Sequence, residues 1–69
     1  MTLAAVREPP AADYVEVLFL ESARVYHLAR SHPKFRDILN VLRASAAGTT
    51  VEVQLASANS DAIANVRIP

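Results

Sequence analysis

At 69 residues the chain has room for one domain, and a domain this small buries only about 60% of the surface its unfolded chain exposes. Without cysteine it has no disulfide and no thiolate metal site, so association with another chain is the expected substitute for those staples. A formal net charge of zero, from 7 Lys and Arg against 7 Asp and Glu, argues against a general nucleic-acid-coating protein.

Residues 1–13, with Pro9-Pro10 and scattered alanines, show no hydrophobic period and read as a flexible leader, leaving 14–69 as a single small α+β domain. The leader has neither a basic n-region nor an apolar h-region, and no run approaches the roughly 18 apolar residues of a membrane span. A cytoplasmic, membrane-free protein is the expectation.

Tyr14 to Leu20 and Arg24 to Ala29 are rich in β-branched and aromatic residues, and with Glu21-Ser22-Ala23 between them they predict a hairpin. The turn lacks Asn-Gly or Asp-Gly, so the register is open by one residue. Ser31 to Gly48 predicts the chain's one helix. Phe35, Ile38, Leu39, Leu42 and Ala46 recur at helical spacing, Ser31 suits the N-cap, Pro33 is tolerated in the first turn, and Gly48 suits a left-handed exit. Burying its four large apolar side chains is worth about 1.5–3 kcal/mol each, provided a sheet lies beneath.

After the helix, Val51, Val53 and Leu55 alternate with Thr50, Glu52 and Gln54, predicting a strand with one wet face. Ala56 to Asp61 is turn-forming, and in the last strand, Ala62 to Ile68, Ile63 and Val66 fall on opposite parities, which predicts a bulge or a late start. The predicted fold is therefore ββαββ, a four-stranded sheet, mixed or antiparallel, with one helix packed on one face. If the helix returns the chain once, the first and fourth of these strands run parallel and the second and fourth antiparallel. The apolar first strand belongs in the centre, which leaves the orders 2-1-4-3 and 2-1-3-4. The former is similar to the β-grasp architecture in element order alone, and Arg67-Ile68-Pro69 differs from the Gly-Gly tail that sulfur carriers and ubiquitin-like modifiers use.

One helix covers one face of a sheet, yet the first predicted strand is apolar on both. With Val15, Val17 and Phe19 against the helix, Leu18 and Leu20 point outward, where Val25 or Tyr26 can join them depending on register, and a contiguous outer apolar patch marks an interaction surface. Charge is segregated as well: residues 1–21 carry net −3, residues 22–47 net +4 and residues 48–69 net −1. Arg30, Lys34, Arg36 and Arg43 form a basic cluster suited to an anion, although the same residues also make an ordinary solvated face. No aromatic side chains interleave with them for base stacking. His27 and His32 have no metal-ligand spacing, and Ser31, His32 and Asp37 hold the residue types of a triad without its directional requirements.

The reading is a non-catalytic protein-interaction module of a small cytosolic protein, forming a homo-oligomer or binding another protein through Leu18, Leu20 and Val25 or a strand edge. Anion or nucleic-acid binding through the helix-associated arginines is the alternative, with nucleic acid the less favoured partner. A metal-dependent enzyme using the two histidines is a third, weaker class. No cofactor is implied.

Overall fold

In the computed structural model, which covers residues 1–69, the element order is β1 (Leu3–Arg7), β2 (Tyr14–Phe19), β3 (Val25–Ala29), α1 (Phe35–Ala44), β4 (Glu52–Leu55) and β5 (Ile63–Arg67). The α+β class is as expected, but there are five strands in two antiparallel sheets, β1-β2-β3 and β4-β5, instead of one sheet of four. The additional strand comes from the stretch expected to be a flexible leader.

Two bulges explain how these strands bury their apolar residues. Leu3 and Val6 are an odd number of positions apart and in a regular strand would face opposite ways. The register runs Leu3↔Phe19 and then Ala5↔Leu18, so Ala4 is the extra residue, and both Leu3 and Val6 pack on the core. In β5 the register runs Gln54↔Asn65 and then Leu55↔Ile63; Ala64 is extra, and Ile63 and Val66 both turn inward. The bulge expected from their parity is present.

β2 and β3 need no such device. Val15, Val17 and Phe19 alternate inward opposite Leu28, Tyr26 and Leu3, and the Phe19 and Tyr26 rings meet edge to face at 5.5 Å. That geometry adds about 0.5–1.5 kcal/mol to the burial of the two rings. The hairpin between them turns through Glu21-Ser22-Ala23 as expected, with Leu18 paired to Val25.

The helix is shorter than its sequence signals suggest. It begins at Phe35, and Lys34 occupies the N-cap without a side-chain bond; Ser31 stands outside it, exposed. The His32 imidazole fixes the approach to the helix, its Nδ1 accepting the Lys34 N–H at 2.9 Å. At the other end Ser45 is already extended and its hydroxyl bonds the Val41 carbonyl at 2.8 Å, so Ala46 lies beyond the helix and is exposed. Ile38, Leu39 and Leu42 are buried, with Phe35 and Val41 packed beside them.

Gly48 adopts φ +90°, a conformation costly for residues with a Cβ, and directs its N–H to the Leu3 carbonyl at 2.8 Å. That turn brings the chain onto the free edge of β1. The Leu3 N–H donates to Thr49 O at 2.9 Å and the Val51 N–H to Met1 O at 2.8 Å, an antiparallel contact through Thr2 and Thr50. On the opposite edge the His27 N–H donates to Asp61 O at 2.9 Å, and His27 bridges Ala62 in parallel.

Neighbouring strands therefore follow a closed circuit, β1-β2-β3-β5-β4 and back to β1. The first four form a Greek key, three strands in sequence with the fourth returning beside the first. Because β4 lies antiparallel to β1, it runs with β2, and β5 runs with β3. The expected antiparallel relation of those last two, the β-grasp-like central pair and both expected strand orders are thereby replaced. The cause lies at the helix: the connection through α1 delivers β4 antiparallel to β3, whereas a single return of the chain by the helix would have made the two parallel.

All five strands or their flanks, together with the helix, supply the buried core of Leu3, Val15, Val17, Phe19, Tyr26, Leu28, Ile38, Leu39, Leu42, Val51, Ile63 and Val66. No helix is long and apolar enough to cross a membrane.

Candidate functional site

The helix and the β4-β5 hairpin pack on the inner side of β1-β2-β3, and its outer side is built from the alternate residues of the same strands. Cross-strand pairing sets these in rows: Ala5, Leu18 and Val25; Arg7, Glu16 and His27; Tyr14 and Ala29. Leu18 and Val25 are half-buried by their neighbours in the row, whereas Leu20, just beyond β2, is 70% exposed. β1 lies beside β2, so the segment that as a loose leader was free to fold over this face is locked into its edge.

Across the middle row Arg7 pairs with Glu16 at 3.3 Å, which neutralises the charge on the face. Below it the Tyr14 and His27 rings lie 4.3 Å apart and tilted by 36°. The sequence assigns both to strands but does not bring them together, because their contact is diagonal and depends on a register left open by the turn. Parity is the one signal that places them on the same face.

The basic residues separate into two groups. Arg43 leaves the expected cluster: it reaches Glu8, with Nε at 3.2 Å from Oε2, and ties the helix to the β1-β2 connection. Arg30, Lys34 and Arg36 remain together around the surface's one hollow, of about 400 Å³, whose wall also includes His32, Pro33, Phe35 and Asp37. Arg30 is partly committed, donating to Ala12 O at 3.0 Å and Pro9 O at 3.4 Å with its guanidinium 5.8 Å from the Phe35 ring centre.

His32 connects two elements. Lys34 N–H can only donate and Ala64 O can only accept, so the ring is the neutral tautomer with its proton on Nε2, which sits 2.9 Å from Ala64 O. Both nitrogens are thus occupied by main-chain groups. Ser31 and Asp37, its companions in residue type, share no hydrogen bond with it. Nowhere do three His, Asp or Glu side chains gather as a metal-binding group.

No family model, curated protein or solved structure matches this chain.

Proposed function

We propose that the chain is a non-catalytic interaction module that pairs with a second copy of itself through the outer face of β1-β2-β3. The observation that carries this reading is Leu20 at 70% exposure, on the same side as Leu18 and Val25 and with no segment of the chain above it. Burying one such leucine is worth about 1.5–3 kcal/mol, a large increment for a domain with so small a core.

Charge supports a like partner over a charged one. The face carries Arg7 and Glu16 already paired, and the chain has zero formal charge, so two copies meet without long-range repulsion. A two-fold packing would set the same face of each copy against the other, apolar row included.

Sedimentation equilibrium over a range of concentrations tests the proposal. A monomer–dimer equilibrium that Leu20→Glu moves toward monomer is expected; a wild-type chain that stays monomeric at high micromolar concentration would end it.

A further inference from the structure

The seven basic side chains are not equally satisfied. Arg7, Arg24, Arg43 and Arg67 are ion-paired with Glu16, Asp61, Glu8 and Glu52 respectively, and Arg30 is held by two carbonyl oxygens. Lys34 and Arg36 alone have neither a carboxylate nor a carbonyl partner, and both line the hollow between β3 and α1. Two free cations next to a third, around one concavity, make a site of unbalanced charge.

We propose that this hollow binds a small phosphate monoester. Arg30, Lys34 and Arg36 against Asp37 leave a formal +2 at the rim, which matches a phosphate monoester of about −1.5 to −2 at neutral pH. The planar Arg36 fork suits two phosphate oxygens, and Lys34 supplies a mobile point charge. Phe35 offers the organic part of the ligand an apolar wall, and the volume of about 400 Å³ falls in the range of small-molecule sites.

A polymer is the poorer fit. Following a nucleic-acid backbone requires a strip of free cations, and here every other arginine is neutralised by its own carboxylate. His32 takes no part in binding because both ring nitrogens are spent; it fixes the shape of the wall. The hollow adjoins the Tyr14–Ala29 end of the β2-β3 hairpin, opposite the Leu18–Val25 end, so binding here does not depend on self-association.

The test is a two-dimensional amide NMR titration of the full chain with inorganic phosphate, phenyl phosphate and a single-stranded oligonucleotide. Saturable shifts confined to residues 30–37 are expected, with a dissociation constant of about 1 mM for phosphate, tighter for phenyl phosphate. Lys34→Gln with Arg36→Gln should weaken binding about tenfold or more. Lys34→Arg with Arg36→Lys should retain it, and because these side chains are exposed the rest of the spectrum should stay unchanged. Absence of saturation with both phosphates, equal affinity in the glutamine variant, or tighter oligonucleotide binding with shifts spread beyond the hollow would each overturn the proposal.

Discussion

Glu21 grips Thr2 with both oxygens of its carboxylate: Oε1 accepts the Thr2 backbone N–H at 2.8 Å and Oε2 its hydroxyl at 2.6 Å. The contact ties the β2-β3 turn to the entry of β1, at the same residue through which β1 meets the approach to β4. Four of the five strands therefore converge near one exposed carboxylate.

The Thr2 hydroxyl, and after it the Thr2 N–H, hold the Glu21 carboxyl below its ordinary 4.5. A carboxylate with a depressed pKa in the folded state adds stability above its unfolded value and loses it as pH falls through the folded one. Glu21→Gln should consequently lower the melting temperature at neutral pH, with the gap to wild type closing below 4.5. Parallel thermal-unfolding curves for the two proteins across that window would show that the carboxylate makes no difference.

Much of the fold is legible in the sequence, and what is not has a specific cause. In β5 the sequence Ile63-Ala64-Asn65-Val66 has apolar ends of opposite parity, read as a bulge; Leu3-Ala4-Ala5-Val6 carries the same signature and was masked by Pro9-Pro10 and the alanines around it. A strand held partly by backbone contacts to Thr49 and Val51 leaves little trace in its own side chains. The hairpin and the buried face of the helix were readable because their periods are regular. Among the basic residues, Lys34 and Arg36 stay together because they lie on one short segment, whereas Arg43 is drawn away by Glu8, a partner 35 positions distant that no local pattern shows.

His32 accepts the N–H of Lys34, the residue at the N-cap, and does so while bonding Ala64 on β5. His32→Phe keeps a ring of comparable shape but removes both hydrogen bonds, leaving the Lys34 N–H and Ala64 O without this partner. A loss of about 1–2 kcal/mol is expected in urea-induced unfolding, from the two hydrogen bonds. Amide exchange should speed up at the start of α1 and around Ala64 together; faster exchange at only one of them would mean that the imidazole does not couple the two elements.

The assignment of inner and outer faces is tested by two leucines of similar chemistry and opposite placement. Leu39 is 5% exposed within the core, so Leu39→Ala removes packed atoms that the surrounding helix and strands only partly replace, and should cost about 2–5 kcal/mol of folding stability. Leu18 lies between Ala5 and Val25 on the outer side, half-buried by them, with its tip toward the surface proposed for pairing. A carboxylate at that tip remains hydrated in the monomer but would be desolvated between two copies. Leu18→Glu should therefore weaken self-association more than it lowers helix content, measured by sedimentation and far-ultraviolet circular dichroism on the same samples. Equal loss of both would mean that Leu18 works as a core residue and that the outer row contributes to folding instead of pairing.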